Sequence, residues 1–185
     1  MSEVTPTVEQ LKGLTHPVRV RMLTMLRLDG PATATALATR LGLNTGATSY
    51  HLRQLAKHGF IVDDESRGDG RERWWRAAHG STSASSRDLS GDDLETFDAY
   101  LQAVVAGYIR RMQEALEERP LLPAAWRDAS TFSDFTHRLT PAQAKAVVEQ
   151  IDEVLSSVED DPEGELFSVQ VNAYPWPGRV APELS

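Results

Sequence analysis

Residues 33–76 constrain the fold more than any other stretch of the chain. Thr33 can cap a short helix whose apolar positions are Leu37, Ala38 and Leu41. Gly42-Leu43-Asn44 follows as a tight turn, and Asn44 is a second good N-cap. The next helix is expected over about residues 45–58, with Thr48, Leu52 and Leu55 recurring at i, i+4, i+7 on its buried face. Gly59 falls where the residue after a helix takes a positive φ. Phe60-Ile61-Val62 then leads into a charged segment in which Gly68 and Gly70 mark a hairpin tip. Trp74-Trp75-Arg76 reads as the returning strand, one Trp facing the core and the other the surface or a dimer partner.

The flanking sequence extends this reading. Val8, Leu11 and Leu14 lie at helical spacing before His16, and Pro17 suits a first helical position because its missing N–H costs nothing there. Val18, Met22, Leu23 and Leu26, with Met25 beside them, give one apolar face up to the stop at Asp29-Gly30-Pro31. Residues 79–91 are small and polar, and they form the expected boundary between a first domain, 1–80, and a second, 81–185. Ser90-Gly91-Asp92-Asp93 resembles a capping box. Leu94, Phe97, Leu101, Val104, Tyr108, Met112 and Leu116 then mark a long amphipathic helix over about residues 91–118, ended by Pro120. Such a stripe wants another helix to pack on, so a partner chain is expected across Leu94, Phe97, Leu101, Val104, Tyr108 and Met112. Residues 130–139 lean towards a strand. Thr140-Pro141-Ala142-Gln143 opens a helix over about 141–157, and Phe167 to Ala173 alternate apolar and polar as a half-buried strand over about 166–174.

A helix, a three-residue turn, a second helix and a Gly-tipped basic hairpin, in that order, are the layout of a winged helix-turn-helix. The fold class expected is therefore α+β: an N-terminal winged helix-turn-helix domain, then a long helix and a small helix-plus-strand C-terminal domain. A helix that enters the major groove needs a leading face that is small or polar and carries donors. Thr45, Gly46, Ser49, Tyr50, Arg53 and Lys57 fall on one such face, with Gln54 beside them. Gly46 and Ser49 allow close approach, Arg53 can reach a guanine or a phosphate, and Lys57 suits a phosphate. His51 suits either a phosphate contact or a hydrogen bond within the domain. Arg67, Arg71 and Arg73 suit wing contacts with phosphate or the minor groove, although strand alternation leaves only some of them facing DNA and Asp63, Asp64, Glu65 and Asp69 oppose them. Arg19 reads as a structural ion-pair partner.

Residues 10–78 resemble the winged helix-turn-helix domain of the ArsR-type bacterial transcription regulators. The matching stretches are Leu14-Thr15-His16-Pro17-Val18-Arg19-Val20-Arg21-Met22-Leu23, Leu37 to Leu43, Ser49-Tyr50-His51-Leu52-Arg53-Gln54-Leu55 with Gly59-Phe60-Ile61, and Gly70 to Arg76 as the wing strand. The resemblance implies a homodimer that binds a double-stranded DNA operator and represses transcription until an effector arrives. It departs from the metal-sensing members: there is no Cys to supply thiolates, and Asp98 on the long helix has no His at a ligand spacing. No metal or other cofactor is expected.

Charge first appears to oppose nucleic acid, since the chain carries 19 Lys+Arg against 27 Asp+Glu, net −8. Divided at the boundary, residues 1–80 hold 11 basic and 8 acidic side chains and residues 81–185 hold 8 and 19, a mildly basic head on an acidic body. The second half is larger than dimerisation needs. Its aromatics Phe132, Phe135, Phe167, Tyr174 and Trp176 read as core, or as the lining of a pocket for a small apolar effector. No Gly-rich phosphate loop, nucleophile elbow or His-Glu-x-x-His sequence is present, so an enzyme is not expected. Neither a signal peptide nor a membrane span is visible, and the expected location is the cytoplasm. The competing reading is a winged helix used for protein–protein contact, which calls for an apolar or acidic recognition face; this face is neither.

Overall fold

The computed structural model describes residues 2–67 and 72–181. The chain divides into two compact units, Met1–Leu121 and Leu122–Ser185. In chain order the first holds β1 (Glu3–Val4), α1 (Val8–Leu11), a 3₁₀ turn over Lys12–Leu14, α2 (Pro17–Leu28), β2 (Ala32–Thr33), α3 (Ala34–Leu41), α4 (Thr45–Lys57), β3 (Ile61–Asp63), β4 (Trp74–Ala77), β5 (Ser81–Thr82) and α5 (Asp92–Glu118).

Each early helix starts on a side chain that satisfies an orphan backbone N–H. Thr7 and Gln10 form a reciprocal capping box on α1. His16 caps α2 through Nδ1, which accepts from the Val18 N–H at 3.2 Å, and Pro17 takes the first helical position. Thr33 Oγ1 accepts from the Ala36 N–H at the head of α3. One core joins these elements: Met22, Leu23 and Leu26 of α2, Leu37 of α3 and Leu52 and Leu55 of α4 pack with Phe60, Ile61 and Trp75. The strands form an antiparallel sheet ordered β2-β4-β3, with Ile61 opposite Ala77, Asp63 opposite Trp75, and Ala32 also opposite Trp75. Alternation along β4 buries Trp75 and Ala77 and leaves Trp74 half-buried and Arg76 exposed.

The boundary expected at residues 79–91 is not where the chain divides. β5 in that stretch pairs in parallel with β1, and Arg27 of α2 pins it, Nε donating to the His79 carbonyl at 2.9 Å and Nη2 to Thr82 Oγ1 at 2.7 Å. A small polar segment lacks apolar area, but a half-buried guanidinium and a two-residue strand hold it to the first unit. The long helix α5 also belongs there, against α1, the 3₁₀ turn and α2. It begins on Gly91, at φ +54 and without a side-chain cap, rather than on a capping box at Ser90; Asp92, Asp93 and Glu95 fill its first turn, where the helix dipole favours carboxylates.

The second unit contains α6 (Ala124–Ala129) and α7 (Pro141–Ser156), the latter opened by a Thr140/Gln143 capping box. The strands expected over 130–139 and 166–174 are not formed. Alternation describes a face that could be half-buried, but a strand also needs an edge to pair with, and within this chain neither segment finds one. Phe132, Phe135, Phe167, Tyr174 and Trp176 are all exposed, so the core or pocket expected among them is not built within the chain; Phe167 stacks on Trp126 with ring centroids 6.3 Å apart.

Candidate nucleic-acid interface

The turn between α3 and α4 is made by Gly42 in the left-handed region, φ +65, which ends α3 while the Leu43 N–H closes back on the Ala38 carbonyl at 2.9 Å. Asn44 Oδ1 then accepts from the Ala47 N–H at 2.8 Å and starts α4. Thr48 also bonds back to the Asn44 carbonyl, at 3.1 Å, so its hydroxyl is satisfied although the residue is fully buried. With Leu52 and Leu55 equally buried, one side of α4 is locked onto the core and the rotation of the helix about its axis is set.

That rotation turns Thr45, Gly46, Tyr50, Arg53 and Lys57 outward as exposed residues, with Ser49, His51 and Gln54 half-buried at the margins. The helix carries Arg53 and Lys57 and no acidic residue. Gly46 has a second use besides leaving room, because a Cβ there would stand 3.3 Å from Asn44 Oδ1, the atom that caps the helix.

Between α4 and the wing lies an open notch of about 260 Å³, lined by Ser49 and Arg53 from α4, Thr33 and Thr35 from the start of α3, and Glu72, Arg73 and Trp75. Glu72 closes one wall by accepting from Thr35 Oγ1 at 3.0 Å, a bond that ties the base of the wing to the helix-turn-helix. The acidic residues beside the wing arginines have structural uses as well. Asp63 holds Arg73, Nε to Oδ2 at 2.5 Å, while the Arg73 guanidinium lies 4.2 Å from the Trp75 ring centroid. Asp64 is buried, accepts from Ser66 Oγ at 2.6 Å, and has Arg67 Nε at 3.8 Å. The Arg67 guanidinium also lies 5.8 Å from the Trp74 ring centroid. Arg73 is thus engaged inside the wing, and Arg67 more loosely. Arg71 lies outside the described residues.

His51 sits beside His16 at the head of α2, ring centroids 4.6 Å apart, and beside Tyr50 at 5.5 Å. Its Nδ1 is buried without a hydrogen-bond partner. Burial lowers its pKa, and the nearby His16 and Arg19 lower it further. Among the described residues Arg19 does not form the ion pair expected of it: Nη2 donates to Thr15 Oγ1 at 3.2 Å, and the buried Nε has no partner there. Reading α4 alone could not find Arg19, His16 or Glu72, because each reaches the site from another element.

The long-helix positions separate onto two sides. Phe97 is buried, and Val104 and Tyr108 are half-buried, whereas Leu94, Leu101 and Met112 are exposed together with Val105, Ile109 and Leu116. Among the described residues, no helix is long and apolar enough to cross a membrane.

A family model described as a helix-turn-helix domain matches residues 14–63, which run from the last residue of the 3₁₀ turn before α2 to the end of β3. The match supports a DNA-binding regulator. No curated protein matches the chain.

Proposed function

We propose that this protein is a sequence-specific transcriptional regulator that reads a double-stranded DNA operator as a homodimer and represses by occupying it. The observation that carries the reading is the exposed side of α4: small and donor-bearing from Thr45 to Lys57, free of carboxylates, and held at a set rotation by three fully buried residues on the other side. Arg53 is assigned the central base contact, Thr45, Gly46, Ser49, Tyr50 and Gln54 close approach and positioning, and Lys57 a phosphate. His51 lies at the margin, where with Arg19 it suits a phosphate. In the wing, Arg67 and Arg71 are assigned to the DNA backbone, and Arg73 to bracing the hairpin through Asp63.

The dimer reading draws on α5. Its exposed stripe runs Leu94, Asp98, Leu101, Val105, Ile109, Met112, Leu116, with gaps of 4, 3, 4, 4, 3 and 4. The order is the same read from either end, so a second copy packed antiparallel about Val105 sets Leu101 against Ile109 of the partner subunit, and Leu94 against Leu116 of the partner subunit. A two-fold interface requires this kind of self-complementarity. Such a dimer would present two α4 helices to half-sites about one helical turn, ~34 Å, apart.

Fluorescence anisotropy with duplexes from the DNA upstream of the coding region tests the reading. Arg53→Ala should weaken binding to the preferred duplex by roughly 1–3 kcal/mol while changing affinity for random duplex little. Equal affinity of wild type and variant for the preferred duplex removes Arg53 from base recognition, and an absence of any preferred duplex removes the function.

A further inference from the structure

The first unit contains a second cleft, of about 240 Å³, between α2 and the C-terminal half of α5. Four arginines line it: Arg21 from α2, Arg40 from the last turn of α3, and Arg110 and Arg111 from α5. One carboxylate, Glu114, lines it as well. Arg40 is held by Asp29 at 2.6 Å, and Arg111 lies 5.2 Å from the Tyr108 ring centroid. Among the described residues Arg21, Arg110 and Arg111 make no ion pair.

This concentration of cations runs against the rest of the molecule. The chain is net −8, and α5 carries seven acidic residues against two basic ones, both of which face the cleft. Glu114 and the Asp29 partner of Arg40 offset only part of this charge; like charges in excess repel, and a bound anion relieves the repulsion. The cleft is not purely polar, since Val20 and Met25 contribute apolar wall that continues into the core. At Gly107 no side chain enters the space, and a Cβ there would meet only Arg111 Nη1, at 3.9 Å. We infer that this cleft binds a small amphipathic organic anion, a carboxylate on a short apolar body, with the head group among Arg21, Arg110 and Arg111 and the body on Val20 and Met25.

The cleft is independent of the proposed dimer contact. At 100° per residue, Gly107, Arg111 and Glu114 lie on the side of α5 opposite Val105, Ile109 and Met112, so self-association through the exposed stripe leaves the cleft open. An anion held there would draw on α2 and α3, the helices against which α4 packs. That regulatory consequence rests on the DNA-binding reading; the binding itself does not.

The test titrates octanoate into the full chain without DNA, by calorimetry, against octanol and inorganic phosphate. Octanoate should saturate at one per chain, with octanol and phosphate each at least tenfold weaker. Arg21→Gln and Arg110→Gln should each cost tenfold or more in octanoate affinity, and Gly107→Leu should abolish binding by filling the space. Arg21→Gln and Arg110→Gln should keep the wild-type thermal midpoint, Gly107→Leu should not fall below it because Leu favours the helix interior over Gly, and Arg53→Ala should bind octanoate normally. Octanol as tight as octanoate overturns the role of the arginines; phosphate as tight overturns the apolar part of the site. If Arg110→Gln weakens DNA binding in the absence of octanoate and lowers the salt slope by about one, the cleft holds a DNA phosphate and the proposal fails. Octanoate affinity unchanged in the arginine variants likewise rejects it.

Discussion

His51 shows how a single side chain on α4 carries more than one demand. It belongs to the helix that is proposed to read DNA, yet its ring is wedged against His16 and its Nδ1 is buried with no partner. Burial disfavours the imidazolium, and the charges of His16 and Arg19 disfavour it further, so the pKa in the folded chain lies below the ordinary 6.5. Between that depressed value and 6.5 the unfolded chain binds more protons than the folded one. The contribution of His51 to folding stability is therefore fully present above pH 6.5, falls as the pH drops below it, and levels off once its folded-state pKa is passed. His51→Gln should flatten the fall in urea midpoint between about pH 6.5 and pH 5. If the slope is unchanged in the variant, the loss of stability belongs to other groups. The pairing of His51 with His16 was not legible in the sequence, because 35 positions separate the two and only the packing of α2 on α4 brings them together. The bond of Glu72 to Thr35 and the place of Arg19 near His51 also join residues far apart in the chain, and they were not legible either. The exposed face that carries Arg53 was legible because it follows from helical spacing alone.

At the scale of elements, the chain is most readable where each signal has a local partner. Thr33, Gly42, Asn44 and Gly59 act within four residues of themselves, and the helix boundaries of α3 and α4 follow from them. The long helix was readable as a helix but not in its facing. Apolar side chains occur nearly all round it, including Tyr100, Leu101, Val104, Val105, Tyr108 and Ile109, so several ladders of three- and four-residue steps can be traced. Packing against α1, the 3₁₀ turn and α2 buries Phe97 and Ala103 and leaves the Val105 stripe outside. A substitution at the centre of that stripe tests what covers it. Val105→Glu sets two carboxylates against each other across the proposed two-fold axis while leaving the inner face untouched, and burying unpaired like charges is strongly unfavourable. Light scattering on a sizing column should then report a monomer whose circular dichroism matches wild type. A dimer of unchanged mass would place the contact elsewhere. The strands expected over 130–139 and 166–174 failed at this same scale, since periodicity specifies a face and says nothing about an available edge.

For the whole molecule the question is how an acidic protein approaches a polyanion. The first unit holds 15 Lys+Arg against 16 Asp+Glu, nearly neutral, and the second holds 4 against 11. Every buried residue described lies in the first unit, so the second adds charge without adding to that core. On the proposed DNA-binding reading, its surplus of seven negative charges should repel duplex DNA at long range and lower affinity for sequences that α4 is not built to recognise. How far the repulsion reaches depends on salt. The screening length is about 30 Å at 0.01 M and about 8 Å at 0.15 M, so the acidic unit can act on DNA in dilute salt and scarcely at physiological strength. A protein ending at Leu121 keeps α4, the wing and α5, and it should bind random duplex more tightly than the full chain at 0.01 M salt. The difference should close as salt approaches 0.15 M, while affinity for the preferred duplex at 0.15 M changes little. Anisotropy titrations of both proteins across that range measure it. Equal affinity at 0.01 M would mean that the acidic unit is electrostatically silent. A gap that persists at 0.15 M would mean that it opposes DNA by occupying space rather than by charge.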